Sequence, residues 1–188
     1  MTSTSEEAIR QTRAWIERAV IGLNLCPFAK AVYMKEQIRY VVSEATGRDE
    51  LLADLERELK LLDESPPEDT DTTLLIHPAA LTRFPDYNDF LELADALVRV
   101  MDLEGVLQVA SFHPRYQFAG TRPDDITNYS NRSPYPTLHL LREASVDAAV
   151  QAFPEAERIY EKNIASLRSL GIEGWLALGI ELHAGRGH

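Results

Sequence analysis

The chain has 188 residues, 45% of them hydrophobic and 26% charged. That is ordinary globular usage, enough for one core and too apolar for wholesale disorder. Nineteen basic residues against 30 acidic ones leave a net charge of −11, so a phosphate backbone is repelled on average and nucleic acid is excluded as a general partner.

The first residues, Met1-Thr2-Ser3-Thr4-Ser5-Glu6-Glu7, lack the basic and apolar regions of a secretory leader. No apolar run approaches the roughly 18 residues of a membrane span. The single cysteine, Cys26, forms neither an internal disulfide nor a CxxC metal pair. The expectation is a soluble cytoplasmic protein without a membrane partner.

Ser3 and Thr4, each three residues before a glutamate, offer a capping box. Ile9, Ile16, Ala19, Val20 and Leu23 then recur at helical spacing and predict a helix over about 5–23, stopped by Asn24 and Pro27. The branched and aromatic run 37–42 predicts a strand. Leu51, Leu55, Leu59 and Leu62 stripe a second helix whose other side, from Asp49, is an acidic solvated face. A turn at Ser65-Pro66-Pro67 leads into a strand over 72–76. A third helix from about Asp86 is expected to bury Phe90, Leu93, Leu97, Val98 and Met101. Strands over 106–111 and 137–141 follow, then helices from about Ser145 and from Pro154, the last ended by Gly171.

Alternating strands and helices predict parallel neighbours for the first three strands. The class is α+β (mixed α/β): about four strands in a mixed sheet with helices packed on it, for which a ferredoxin-like sandwich is one candidate. Residues 1–183 are expected to form a single domain and 184–188, with His188, a flexible tail.

Residues 112–136 lack periodicity, and connections this long without structure are uncommon in compact domains unless they are functional or disordered. Five aromatics (Phe112, Tyr116, Phe118, Tyr129, Tyr135) argue for order, and His113, Gln117, Asp124, Asp125, Asn128, Asn131 and Arg132 for hydrogen bonding. His77 and His113 each end an apolar strand before a proline. If those strands are parallel and the fourth returns antiparallel, His139 joins them at one sheet edge, where ligands of parallel sheets bind.

The segments Asn24-Leu25-Cys26-Pro27-Phe28-Ala29, 105–114 (ending Ser111-Phe112-His113-Pro114) and 128–143 (beginning Asn128-Tyr129-Ser130-Asn131-Arg132-Ser133) resemble the bacterial family known as domain of unknown function 1415. The likeness extends over about residues 12–153. It implies a soluble single-domain protein and supplies no activity, cofactor or catalytic residue.

The side chains themselves leave several chemistries open. His113 and His139, with Asp125 as orienting carboxylate, suit acid–base work near neutral pH, and Cys26 suits a nucleophile only if its pKa is lowered. Arg132 and Arg142 suit an anion clamp, with Asn128, Asn131, Tyr129 and Tyr135 positioning a ligand. His77, His113 and His139 with Asp124 or Asp125 are a conceivable metal set, without a supporting motif. Three readings follow: an enzyme for a small polar or anionic metabolite using the loop 112–143, a non-catalytic binding domain using the same loop, or a metal-dependent hydrolase or oxygenase.

Overall fold

The computed structural model describes residues 3–183 apart from Pro154. Its elements are α1 (Ser3–Trp15), continued as a π-helical turn over Ile16–Ile21, α2 (Ala29–Met34), β1 (Ile38–Val42), α3 (Arg48–Glu64), β2 (Thr72–Ile76), α4 (Phe84–Val100), β3 (Leu107–Phe112), a 3₁₀ segment (Ile126–Asn131), β4 (Thr137–Arg142), α5 (Glu143–Ala152), a 3₁₀ turn (Ala156–Arg158) and α6 (Ile159–Ala177). The expected helix start at Pro154 and the expected tail over 184–188 lie outside the described residues. Among the described residues no helix is long and apolar enough to cross a membrane.

The α+β class holds: four strands form one mixed sheet in the order β1-β2-β4-β3. β1 and β2 are parallel, and β4 is antiparallel to both β2 and β3. The expectation of three parallel neighbours is corrected, because β4 lies between β2 and β3. Burial explains the order. Every residue of β2 is buried, as are Thr137, Leu138 and Leu140 of β4, whereas β1 is half-buried throughout and β3 exposes Gln108. The apolar strands take the interior and the strands carrying Arg39 and Gln108 take the edges. A ferredoxin-like sandwich is also set aside, since the order from β1 onward is β-α-β-α-β-β-α rather than β-α-β-β-α-β.

Helices cover both faces. Leu75, Leu107, Leu138 and Leu140 point to α3 and α4, where Leu51, Leu55, Leu59 and Leu62 meet Tyr87, Phe90, Ala94 and Val98. Each such leucine contributes about 1.5–3 kcal/mol by burial. Tyr87 and Ala94 complete the buried face of α4, while Leu93, Leu97 and Met101 are only half-buried at its margins. On the other face Leu74, Ile38 and Phe112 meet Trp15, Ile16 and Ala19 of the first helix and Leu167 and Trp175 of α6.

Two glycines shape this second face. After the π-helical turn the Gly22 amide reaches the Glu17 carbonyl, at 3.0 Å. A Cβ at Gly22 would lie 2.3 Å from the Arg18 carbonyl oxygen, so only glycine fits. Gly171, at φ 66°, interrupts α6 rather than ending it. Helix resumes because Trp175 is anchored beyond the break, edge-on against Tyr129 at 5.0 Å. The C-terminal segment is pinned as well: the His183 amide donates to Pro134 and its ring stacks on Tyr135 at 4.5 Å.

Tyr87 ties α4 to the far end of the sheet. Its hydroxyl donates to the Thr137 carbonyl (2.8 Å) and accepts from the Phe112 amide (3.0 Å), joining the paired ends of β3 and β4. Tyr87→Phe leaves both backbone groups without that partner in a dry core. The expected loss is about 1–3 kcal/mol in urea unfolding with an unchanged m-value; a loss below 0.5 kcal/mol would contradict this role.

Candidate functional site

The loop between β3 and β4 is ordered, and its polar side chains are turned on its own backbone. Asn128 is fully buried: its Oδ1 accepts from the Phe118 amide and the Thr121 hydroxyl, and its Nδ2 donates to the Arg122 carbonyl. Asn131 donates to the Ser111 carbonyl at 3.1 Å. Arg132, 8% exposed, donates to the Tyr116 and Pro123 carbonyls and lies over the Tyr129 ring at 4.3 Å. Asp125 caps the 3₁₀ segment by accepting from the Thr127 amide (2.9 Å) and hydroxyl (2.7 Å), bonds that lower its pKa. A loop without regular pairing needs such partners for its amides and carbonyls.

Arg142 is elsewhere. It donates to the carbonyls of Leu62, Ser65 and Thr70, closing the C-terminal end of α3 against β4. Tyr135 packs on His183. The expected polar cup of Arg132, Arg142, Asn128 and Asn131 is therefore not assembled, because backbone carbonyls take the donors first.

The histidines also part company. His77 and His113 lie on the α3/α4 face, with ring centroids 5.7 and 5.0 Å from Tyr87. His139 alternates with Leu138 and Leu140 and so faces the other way, against Phe112 at 5.9 Å. The expected meeting of three imidazoles at one edge is corrected: two end strands on one side of the sheet, and the third is mid-strand on the other. Among the described residues no group of three or more His, Cys, Asp or Glu could hold a metal.

His77 and His113 clamp the connection between β2 and α4. A carbonyl can only accept, so His77 Nδ1 donates to Ala80 O (2.9 Å) and His113 Nε2 donates to Leu81 O (3.2 Å), where the chain turns at φ 51°. His113 Nδ1 accepts from the Arg115 amide at 3.0 Å, so Asp125 has no part in orienting it. Burial lowers both rings from an ordinary 6.5 to about 4.

What the sequence reading missed is a cavity of about 630 Å³ on the α1 side of the sheet. Its floor is the outward row of the strands, including Leu74, Ala110, Phe112 and His139, and its walls come from Trp15 and the π-helical turn, from 26–32 with α2, and from α5. The space exists because Ala29, Ala31, Ala110, Ala149 and Ala152 stand where larger side chains would fill a core. Phe28 and Phe153 meet edge-on at 6.1 Å across its α2–α5 side.

Cys26 and His139 both line this cavity. Burial raises the Cys26 thiol above its usual 9, against the opposing effect of the Phe28 and Ala29 amides. It is thus an unactivated thiol at neutral pH. His139 is lowered to about 4 by burial and is neutral. Its Nε2 lies 2.7 Å from the Thr72 hydroxyl. The only sequence signals for this site were the apolar–polar alternation of β4 and the alanines of α5.

A model of the family described as protein of unknown function (DUF1415) matches residues 7–177. No curated protein and no solved structure matches the chain.

The buried rings fix an acid response. His77 and His113, both fully buried, stay neutral in the fold down to about pH 4, whereas in the unfolded chain they take up protons below about 6.5. Their contribution is complete above pH 6.5 and is lost as pH falls towards 4, by on the order of 3 kcal/mol per ring. Urea midpoints from pH 7.5 to 4.5 should fall accordingly; a flat profile would mean that the rings are not held neutral.

Proposed function

The chain belongs to the family of proteins of unknown function DUF1415, and since membership carries no activity, we propose that it binds a small, mainly apolar molecule in the cavity beside His139. The observation that carries this reading is the cavity itself. Between the sheet and three helices about 630 Å³ stays unfilled, partly open to solvent and lined mainly by apolar side chains. That volume falls within the roughly 300–1,000 Å³ of small-molecule sites, which are mostly apolar with a few placed polar groups.

The chemistry of the wall supports binding over nucleophilic catalysis. Cys26 is protonated, and neither lysine nor arginine stands on the wall among the described residues. The loop 112–143, whose donors are bound to backbone carbonyls, acts as scaffold in this reading.

Trp15 on the cavity wall reports occupancy. Titration with 1-decanol should shift tryptophan emission saturably, and Trp15→Phe should remove the shift. Ala110→Phe, which fills the space from β3, should abolish binding while leaving Tm unchanged or higher. An unsaturable response, or one that Ala110→Phe leaves intact, refutes the cavity as the site.

A further inference from the structure

The polar groups of the cavity gather where β2 begins, β4 ends and α5 makes its first turn. Asp71, Thr72, His139 and Ser145 all line it there. Thr72 is paired with Leu141, so His139, two residues back along β4, reaches it diagonally.

The protons of this cluster can be assigned. The Thr72 hydroxyl has one hydrogen, and it donates to the Leu140 carbonyl at 2.6 Å. It must therefore accept from His139, whose Nε2 carries the N–H. A neutral imidazole has a single N–H, so Nδ1 presents a lone pair, with no partner among the described residues. Ser145 likewise gives its hydrogen to Asp71 Oδ1, at 2.6 Å. Asp71 has no ion-pair partner among the described residues. The cluster thus offers acceptors: an imidazole nitrogen, a hydroxyl oxygen and a carboxylate. Two side-chain donors also stand on the wall: the Gln108 amide and the Trp15 indole N–H, which has no hydrogen-bond partner among the described residues.

Resting on the cavity reading above, we propose that the ligand is a hydrophobic primary amine, its apolar part among the alanines and its ammonium at the end formed by Asp71, Ser145 and His139. An ammonium has three donors and no acceptor, which complements this set. It also supplies the counter-charge that Asp71 lacks. A carboxylate or phosphate would instead bring a second negative charge beside Asp71 into a site with no cation. An alcohol gives one donor and no charge, and ranks between them. The anionic metabolite expected from the arginines of the loop is replaced by its opposite, because those arginines are bound elsewhere.

The test is isothermal titration of the whole chain with decylamine, 1-decanol and decanoate, below their aggregation concentrations, at one pH and moderate salt. Decylamine is expected to bind at least about tenfold more tightly than 1-decanol, and decanoate weakest of all. Asp71→Asn should remove most of the amine's advantage over 1-decanol. Because the net charge of −11 attracts amines everywhere, Ala110→Phe and, as a second filled cavity, Ala149→Leu must abolish amine binding at the same charge. Amine binding that survives both is surface binding and overturns the assignment. Decanoate binding as tightly as the amine, or an amine advantage intact in Asp71→Asn, overturns the head-group assignment but leaves the cavity reading standing. If no member of the series binds and the filled variants only gain Tm, both fall together.

Discussion

β4 is hydrogen-bonded on both sides, and its strict alternation decides what each face of the protein can be. Leu138 and Leu140 must enter the core under α3 and α4, so Thr137, His139 and Leu141 must face the other way. A slip of one residue would exchange the two sets, and two fully buried leucines would then face the cavity. The position of His139 is thus a consequence of packing on the opposite face. Placed there, mid-sheet and against Phe112, the ring cannot hold a charge cheaply, and its one hydrogen goes to the nearest acceptor, the Thr72 hydroxyl. The free lone pair on Nδ1 of a ring that lines the cavity follows from that chain of constraints.

The same economy governs the two strand-terminal histidines. Each leaves its strand on the α4 side and hydrogen-bonds a carbonyl in the connection after β2, where proline and a positive φ at Leu81 prevent regular pairing. Tyr87 stands between them and receives the end of β3. Imidazoles followed by proline at strand ends look like site residues in a sequence, and here they do the work of missing backbone partners.

The elements were legible in the sequence because local periodicity reports local structure: the leucine stripe of α3 and the apolar run of β2 lie where their spacing puts them. Strand order was not legible, since insertion of β4 between β2 and β3 is decided by relative burial across segments far apart in the chain. In the loop, order was correctly signalled by aromatics among polar groups. Its purpose was not, because Arg132 and Asn128 have the same composition whether they bind a ligand or their own carbonyls. The cavity was invisible for a different reason. It is made by the absence of side-chain volume at alanines from β3, α2 and α5, and missing volume leaves no motif.

The walls of the cavity differ in how firmly they are held, and this bears on how a ligand would enter. The sheet and the first helix are committed to the core through Leu74, Trp15 and Ile16, each nearly or fully buried. Neither α2 nor α5 contains a buried residue, and their closing contact is the edge of Phe28 against Phe153. Separating them breaks little apolar burial, whereas opening the cavity anywhere else would take apart the second core. Local opening is least costly where buried contacts are fewest. The α2–α5 side is therefore the wall of the cavity that the packing holds least firmly.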